Sequence, residues 1–499
     1  MISLLTILIL SCAQSTPQLF ADTNVQANSN IGSQHQTLAR RTVDVDLEVL
    51  RHQQAVIDLN VFANVNLQAR FLSLETSPTG GDLWRGKVIG HGDSTVLFAF
   101  RDNTVMGTIR YEDKLILLED AGNGVHRLLL VDQLKMPSCG NDMSHSIKAK
   151  AKAKADDAVN SRTGSPEITV MVVYTTEAKN STGGNSQMEN KIDLAITETN
   201  DSFADSGLGQ RVELVYYDET IGYTEAPTFG GILDDLRING DGKIDWVHDV
   251  RNQVAADMVD LICDNYQYCG LAYLMTNVTA SFEQWCFSVV NYSCAVGADV
   301  FAHELGHNMG SHHDVGNAGG GSGAYSYSFG YRTPNNALKT VMAYYPGAVT
   351  GRWSGPNVTY NGNVMGTTIE DNVRSLDNTA NMVASFRNGA PVQPPSTISF
   401  HATTLIAGGF SILSVENATP NSQVYFAYSL AGGDATTTPY GLAYLTYPIN
   451  VMTLLTTTGT GFGSYAVSPP PLSSGLSVWM QAHDVTSGVF SNGVYKYIF

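Results

Sequence analysis

Hydrophobic residues alternate with polar ones in many short segments near the start of the chain. Between residues 36 and 135 these segments include AVIDLNVFANV, STVLFAF and KLILLED, and they are separated by Gly, Asp and Asn. Alternation with a period of two is typical of strands that have one buried face. We therefore predict a β-rich domain over residues 22–143, ending near the segment MPSCGND.

The hydrophobic pattern changes after residue 165. ITVMVVYT is a continuous apolar run of the kind that is buried on both faces of a sheet. RVELVYYDE, DMVDLIC and CGLAYLMT also indicate strands. Helices are predicted at about residues 186–205, 245–252 and 371–386, the first and last because apolar residues recur on one helical face. Strands that alternate with helices indicate an α/β domain with a largely parallel sheet, over residues 165–388.

Two linkers separate three folded regions. IKAKAKAKAD lies in a basic linker, residues 144–164, and APVQPPS lies in a Pro-rich linker, residues 389–396. Beyond it, short strands with Gly, Pro and Asn turns predict a small β-sandwich-like domain at residues 397–499. Three domains agree with the length of 499 residues at roughly 150 residues per domain.

The charge balance narrows the range of partners. The net charge of -18 argues against nucleic acid, because phosphate binding needs clustered Lys and Arg. We also expect no transmembrane segment, because no stretch approaches the roughly 20 apolar residues that a membrane span needs.

The first residues predict export. MISLLTILILSCAQ is apolar over about ten positions, which fits the core of a signal peptide. We expect residues 1–21 to be that signal and the protein to be secreted, although no Lys or Arg precedes the apolar run. ILSC also fits a bacterial lipobox, so a lipid anchor at Cys12 is the alternative.

The stretch FAHELGHNMGSHHD contains four histidines, one more than the three protein ligands that a catalytic zinc takes. His303 and His307 are four residues apart, so on a helix they project from one face. Gly310 can end that helix with a positive φ and turn the chain back. The spacing H-E-x-x-H-x-x-G-x-x-H then selects His313 as the third ligand and leaves His312 out.

Glu304 follows the first of these ligands directly. A carboxylate there can take a proton from water whose pKa a zinc ion lowers towards 7. The stretch therefore predicts one catalytic zinc and a hydrolytic reaction with Glu304 as general base.

These residues resemble the metzincin zinc endopeptidases, and the aspartate after the third histidine is similar to that of the reprolysin (adamalysin) branch. TVMAYYPG offers Met342 for the methionine turn of that family, which packs beneath the zinc ligands. CGLAYL, FSVVNYSCAVG, WSGPNVTYNG and DNVRSLDNTA are similar to a bacterial reprolysin-like subgroup, and the resemblance covers about residues 165–387.

The resemblance implies an α/β metzincin fold, with a mixed, mostly parallel twisted sheet and a zinc-binding active-site helix. It also implies that the strand CGLAYL forms a sheet edge, which pairs with an extended polypeptide substrate. Met342-Ala343-Tyr344 is similar to the M-x-Y pattern of the astacin and serralysin branches. There the tyrosine is an extra zinc ligand or an oxyanion donor, so Tyr344 is a candidate for either role, with a packed aromatic as the alternative.

Four cysteines, at 263, 269, 286 and 294, precede the histidine stretch. In an exported chain they predict two disulfides. We favour Cys269 with Cys294 and Cys263 with Cys286. A local pairing, 263 with 269 and 286 with 294, is the alternative, and spacing does not choose between them.

Cys139 is left unpaired in PSCGND, which resembles the cysteine-switch segment of matrix metalloprotease propeptides. A thiolate in the open coordination position of zinc would displace the water needed for hydrolysis. We therefore expect residues 22–143 to be a propeptide. An activating protease would cleave in the basic run Lys148–Lys154 or at Arg162.

One further motif does not predict a calcium site. NGDGKIDWVH looks like part of an EF-hand loop, but it places Arg237 and His248 where carboxylates are needed, so structural calcium has no support.

The leading hypothesis is a secreted, monomeric zinc endopeptidase made as a zymogen. The alternative is a catalytically silent metzincin-fold protein that binds or adheres through its C-terminal β-domain. The intact Glu304 argues against it, because such a protein needs no general base.

Overall fold

The computed structural model describes residues 16–140, 165–387, 398–433 and 435–499. The lipobox at Cys12, the activation site and the Pro-rich linker lie outside the described residues. Within them, no helix is long and apolar enough to cross a membrane.

The N-terminal region forms one nine-stranded antiparallel sheet with the order β1-β2-β9-β8-β7-β6-β5-β4-β3. Its elements are β1 (Phe20–Asp22), β2 (Thr37–Val45), α1 (Leu47–Arg51), β3 (Val56–Phe62), β4 (Val65–Thr76), β5 (Asp82–Val88), β6 (Thr95–Arg101), β7 (Thr104–Tyr111), β8 (Lys114–Asp120) and β9 (His126–Val131). Leu19 and Phe20 are buried in the core of this sheet. Strand β1 begins at Phe20, and the domain boundary at residue 22 stays a prediction.

This sheet is buried on both faces in its middle strands. On β6, Val96, Phe98 and Phe100 belong to the core of the N-terminal region. The alternate residues Leu97 and Ala99 pack into the core of the next domain, because successive side chains of a strand point to opposite faces. The run STVLFAF is therefore apolar throughout because its two faces pack into two different hydrophobic cores.

The second domain has the mixed sheet that the sequence predicts. Strands β11, β10, β12 and β14 are parallel in that order, and β13 closes the edge antiparallel to β14. These strands are β10 (Glu167–Tyr174), β11 (Arg211–Glu219), β12 (Met258–Cys263), β13 (Gly270–Ala272) and β14 (Phe287–Asn291). The predicted edge strand CGLAYL is β13, so the edge lies where the resemblance implies.

Helices lie between and after these strands along the chain. They are α2 (Thr176–Thr182), α3 (Asn185–Asp205), α4 (Phe229–Arg237), α5 (Trp246–Gln253), α6 (Val300–Asn308) and α7 (Asn372–Val383). The three helices expected from the sequence are α3, α5 and α7. Short two-stranded pairs lie between α6 and α7, β15 (Leu338–Lys339) with β16 (Ala348–Val349), and β17 (Thr359–Tyr360) with β18 (Asn363–Val364).

Helix α3 carries polar residues that are nevertheless buried, because the N-terminal sheet lies against it. Asp193 accepts hydrogen bonds from the hydroxyls of Ser77 and Thr79 at 2.7 and 2.8 Å, and it pairs with Arg101. Arg85 makes a two-oxygen contact with Asp201 on the same helix, at 2.8 Å to each oxygen. Charged contacts thus fix the N-terminal sheet on the α/β domain.

One of the two favoured disulfides is confirmed and the other is wrong. Cys269 and Cys294 are bonded, whereas Cys263 and Cys286 are both free and buried. In the register of β12 and β14, Cys263 lies opposite Asn291, five residues beyond Cys286. At about 3.3 Å per residue the two cysteines are about 16 Å apart, too far for a disulfide. The local alternative fails as well, since Cys269 is already bonded to Cys294.

The C-terminal region contains two antiparallel sheets that share a core, β19-β20-β25 and β24-β21-β26-β27, and a hairpin, β22-β23. Its strands are β19 (Ser399–Ala402), β20 (Ser411–Glu416), β21 (Gln423–Ser429), β22 (Ala435–Thr438), β23 (Gly441–Tyr444), β24 (Asn450–Thr456), β25 (Gly463–Val467), β26 (Ser477–Asp484) and β27 (Phe490–Tyr497). Tyr497 and Phe499 pack on Trp246 of α5, and Lys496 pairs with Asp218 at 3.1 Å. The region therefore contacts the α/β domain away from the histidine stretch.

Candidate active site and metal centre

Helix α6 carries the first two histidines of the predicted ligand set. His303 and His307 lie on it, and the helix ends just before Gly310, whose φ is +90°. A Cβ at position 310 would lie 2.4 Å from the Cβ of Ala324. Only glycine fits this backbone conformation and this space, so the turn that returns the chain to the helix depends on Gly310.

The turn brings His313 to the two helical histidines. Donor atoms of His303, His307, His313 and Cys139 all lie within 4.8 Å of one another. The Nε2 atoms of His307 and His313 are 2.9 Å apart. All four residues are buried. The three predicted histidines and the predicted switch cysteine therefore form one cluster.

Backbone carbonyls orient the two helical histidines. Nδ1 of His303 lies 2.8 Å from the carbonyl of Val341, and Nδ1 of His307 lies 2.9 Å from the carbonyl of Ser311. A nitrogen that faces a carbonyl must donate a proton, so Nε2 of each ring keeps its lone pair. Carbonyl contacts of this kind are typical of histidines that bind a metal.

The residues of the cluster fit a metal ion. Nε2 of His303 is buried and has no hydrogen-bond partner among the described residues. Burial lowers the pKa of His303 to about 3 and the pKa values of His307 and His313 well below their usual range. All three rings are therefore neutral, which is the form that binds a metal. A cation at this point would satisfy lone pairs that otherwise face one another.

His312 lies beside the cluster and is outside it. Its Nδ1 accepts a hydrogen bond from the backbone N–H of His313 at 2.8 Å, and its ring stacks on Phe329. Burial lowers the pKa of His312 to about 4. The surplus histidine thus supports the backbone of the third ligand.

Glu304 is fully buried against the edge strand. Its Oε1 has no hydrogen-bond partner among the described residues, and burial raises the pKa of its carboxyl well above the usual range. A Cβ on Gly270, the first residue of β13, would lie 2.3 Å from Glu304 Oε1. The absence of a side chain at Gly270 is what lets the carboxyl lie between the metal cluster and the sheet edge.

Met342 and Tyr344 both lie close to the histidines. Met342 is buried beneath α6, where a Cβ on Gly306 would lie 2.8 Å from its sulfur. The ring of Tyr344 lies 4.2 Å from the ring of His313, and its hydroxyl donates to the carbonyl of Cys139 at 2.8 Å. Met342 is thus a packing floor, and Tyr344 presents a proton donor to a peptide carbonyl in the cleft.

Cys139 reaches the cluster from the N-terminal region. Its Sγ lies 3.6 Å from Glu304 Oε2 and 3.7 Å from His307 Nε2. Burial raises the pKa of this thiol. The backbone beside it binds the sheet edge: Gly140 donates to Gly270 at 2.8 Å, and Cys269 donates to Ser138 at 3.1 Å. This segment therefore occupies the edge that a substrate would need.

Sequence reasoning missed the contacts that the N-terminal sheet makes near the site. Arg110 of β7 donates to Asp299 at 2.6 Å and to the carbonyl of Gly297 at 3.0 Å, at the start of α6. Gln133 accepts a hydrogen bond from the backbone of Val349. Nothing in the strand pattern marks these residues, because their partners lie more than 180 residues away along the chain.

The sequence is similar to those of known proteins. Residues 164–361 match the model Reprolysin_5, described as metallo-peptidase family M12. The peptidyl-Asp metalloendopeptidase of Stenotrophomonas maltophilia is 34% identical over 346 residues, covering 64% of this chain and 81% of that protein. The peptidyl-Asp metalloendopeptidase of Xanthomonas campestris is 36% identical over 293 residues, covering 57% of this chain and 68% of that protein.

A buried glutamate beside a three-histidine metal cluster, facing a sheet edge that can bind an extended peptide, defines a metal-dependent endopeptidase. With the relatives just described, the chain belongs to the reprolysin-like metallopeptidases of family M12. It is a metalloendopeptidase and acts on polypeptides. A catalytically silent binding protein is thereby set aside.

Proposed function

We propose that this protein is a secreted zinc endopeptidase that is made as a latent precursor. The observation that carries the proposal is the cluster of His303, His307 and His313 with the Cys139 thiol among them. Three neutral imidazoles with one further position form the donor set of catalytic zinc sites. These residues would hold a zinc ion, which would supply polarisation of the scissile carbonyl and a lowered pKa for a water molecule.

Residues of the chain would transfer the proton, stabilise the oxyanion and align the substrate. Glu304 takes a proton from the attacking water and passes it to the leaving amine, a role that its position beside the cluster allows. The hydroxyl of Tyr344 donates to the oxyanion, as it now donates to the carbonyl of Cys139. The edge strand β13 aligns the peptide by main-chain hydrogen bonds.

The N-terminal region, residues 22–143, serves as the propeptide. Its thiol would take the coordination position that water needs, and its backbone at Ser138 and Gly140 makes hydrogen bonds with the sheet edge. Cleavage in the basic linker, residues 144–164, by an activating protease would release it. The β-sandwich-like C-terminal domain remains with the catalytic domain.

Export by the segment at residues 1–21 fits the disulfide between Cys269 and Cys294, since such bonds persist in oxidising compartments. Free secretion is the location we propose, and a lipid anchor at Cys12 is the alternative. Mass spectrometry of the mature N-terminus distinguishes them, because an anchored form carries a lipidated cysteine.

The names of the relatives support a proposal for the substrate class. Those from Stenotrophomonas and Xanthomonas are named for peptidyl-Asp, and we propose that this enzyme also cleaves next to aspartate.

Hydrolysis of casein by the processed enzyme tests the proposal, with zinc content measured in parallel. We expect a zinc-selective chelator to abolish hydrolysis and added zinc to restore it. Glu304→Ala should abolish hydrolysis and keep one zinc, whereas His303→Ala should lose both. Hydrolysis that survives Glu304→Ala would contradict the mechanism, and a different resident metal would contradict the choice of zinc.

A further inference from the structure

Lys339 is a buried cation close to the active site. It lies on β15, three residues before Met342, and only 4% of its surface is exposed. Its ammonium lies 4.6 Å from the centre of the Tyr345 ring. The ammonium makes no ion pair or hydrogen bond with the described residues, whereas the backbone carbonyl of Lys339 accepts one from the hydroxyl of Thr350 at 3.0 Å. Burying a charge without a counter-ion costs desolvation free energy, so a buried lysine of this kind suggests a functional role.

The acids nearest to Lys339 are bound to other groups. Asp299 accepts from Arg110 at 2.6 Å and from the backbone of Gly351 at 2.9 Å. Asp314 accepts from Arg332 at 2.8 Å and from the backbone of Tyr344 at 3.0 Å. Both acids act to raise the pKa of Lys339, but burial outweighs them and lowers it to about 8. The ammonium thus keeps all three of its donors.

The segment that carries Lys339 forms a wall of the metal site. Two residues further on, Val341 holds the ring of His303 through its carbonyl. The ring over the ammonium belongs to Tyr345, the neighbour of Tyr344, whose hydroxyl binds the carbonyl of Cys139. Lys339 therefore belongs to the same short segment as residues that contact the metal cluster and the Cys139 carbonyl.

The propeptide covers this wall in the latent chain. The hydroxyl of Tyr345 contacts the sulfur of Met136 at 3.2 Å, and the backbone of Val349 donates to Gln133 at 3.0 Å. Release of the propeptide removes both contacts and Arg110 as well. Asp299 then loses one partner and can approach Lys339. An ammonium has three N–H donors, so Lys339 could pair with Asp299 and still bind a second carboxylate.

We propose that Lys339 determines substrate specificity by binding the carboxylate of an aspartate next to the scissile bond. This inference rests on the proposed function and adds the residue that would bind the aspartate side chain of the substrate. Two arginines near the site are less suited to bind a substrate carboxylate, because each already has an acidic partner. Arg332 forms an ion pair with Asp314, and Arg352 forms one with Asp205 at 2.7 Å.

Matched peptides test the assignment in the processed enzyme. Each peptide contains a single Asp, or Asn at the same position, in an otherwise uncharged sequence, and mass spectrometry identifies the bond that is cut. Lys339→Met removes the charge at similar size, and Lys339→Arg keeps it. Lys243→Met is the matched control, because Lys243 is an exposed lysine far along the chain from the site. Zinc content and the melting temperature are measured for each variant.

We expect wild type and Lys243→Met to prefer Asp over Asn strongly. In Lys339→Met the Asp-to-Asn ratio of kcat/KM should fall by about 100-fold, as expected for loss of a buried charge pair. Lys339→Arg should retain most of the ratio. If Lys339→Met does not fold, Lys339→Gln replaces it, and the Asp-to-Asn ratio of kcat/KM should fall in Lys339→Gln and be retained in Lys339→Arg.

Three results would overturn the inference. The ratio could stay unchanged in Lys339→Met, or in Lys339→Gln where Lys339→Met does not fold. Wild type could also hydrolyse both peptides equally, which leaves the endopeptidase activity intact and removes both the proposed preference for aspartate and the role of Lys339. Hydrolysis of neither peptide nor casein would refute the proposed function and the inference together.

Discussion

The sulfur of Cys139 lies 3.7 Å from Nε2 of His307, although 168 residues separate them in the chain. This contact joins two folded regions at the atoms where chemistry would occur. It places a residue of the N-terminal region in the metal cluster. In the proposed precursor, folding, metal binding and latency would therefore be linked through a small set of contacts that can be changed one at a time.

Gly310→Ala should weaken metal binding. The new methyl group would require a left-handed backbone at φ +90° and would overlap Ala324, so the turn to His313 would shift. We expect zinc affinity to fall by at least about 10-fold, measured by competition with a chromophoric chelator. Gly362→Ala is the control, since it has φ +76° but open space. Equal zinc affinity in both variants would show that the turn does not position His313.

Tyr344→Phe should lower kcat by roughly 10- to 100-fold with little change in KM. The hydroxyl donates to a peptide carbonyl beside the metal cluster, and a donor of this kind acts mainly on the oxyanion. Steady-state kinetics on a peptide substrate check this, with the exposed Tyr440→Phe as control. Unchanged turnover in Tyr344→Phe would leave the residue a packed aromatic.

The ligand set could be predicted from sequence because its geometry is local. His303, Glu304 and His307 share one helix, and a single glycine brings His313 back. Long-range contacts could not be predicted. The register between β12 and β14 separates Cys263 from Cys286, and no sequence pattern encodes that register.

Cys139 was found through an odd thiol in a motif, whereas Arg110 had no such signal. It looks like one more polar position in a strand, and only the packing of the N-terminal sheet on α6 reveals its partner. Lys339 was missed for the same reason, since only the folded structure shows that this lysine is buried. Sequence reasoning thus located the chemistry and missed the contacts that control it.

Arg110→Met should loosen the propeptide in the uncleaved precursor. Arg110 and Asp299 are 10% and 2% exposed, so breaking their pair leaves a buried carboxylate with fewer partners. We expect a loss of about 3 kcal/mol in the stability of the domain contact. Hydrogen exchange at β7 and at the start of α6 reports it. Arg51→Met, which removes an exposed pair with Glu48, should leave this exchange unchanged.

Acid should destabilise the propeptide sheet through His126. Both ring nitrogens of His126 are buried without a partner among the described residues, and burial lowers its pKa to about 4. The unfolded chain takes up a proton below pH 6.5 that the folded sheet excludes, so stability is full above that pH and falls as pH drops towards 4. The expected loss at pH 5 is about 2 kcal/mol.

Hydrogen exchange of β9 amides at pH 7 and pH 5, corrected for intrinsic rates, measures this effect. His126→Leu should reduce the difference between the two pH values, and the exposed His52→Leu should not. The same pH dependence in His126→Leu and wild type would assign acid sensitivity to other groups.

The most direct test of the account is hydrolysis by the unprocessed precursor that carries Cys139→Ser. A serine hydroxyl is a poor ligand for zinc, so water regains the open position while the propeptide remains attached. We predict that this precursor hydrolyses peptides in a reaction that a chelator stops, and that adding Glu304→Ala abolishes it. A precursor as silent as the wild-type precursor, with zinc bound and with full activity after processing, would contradict control by Cys139.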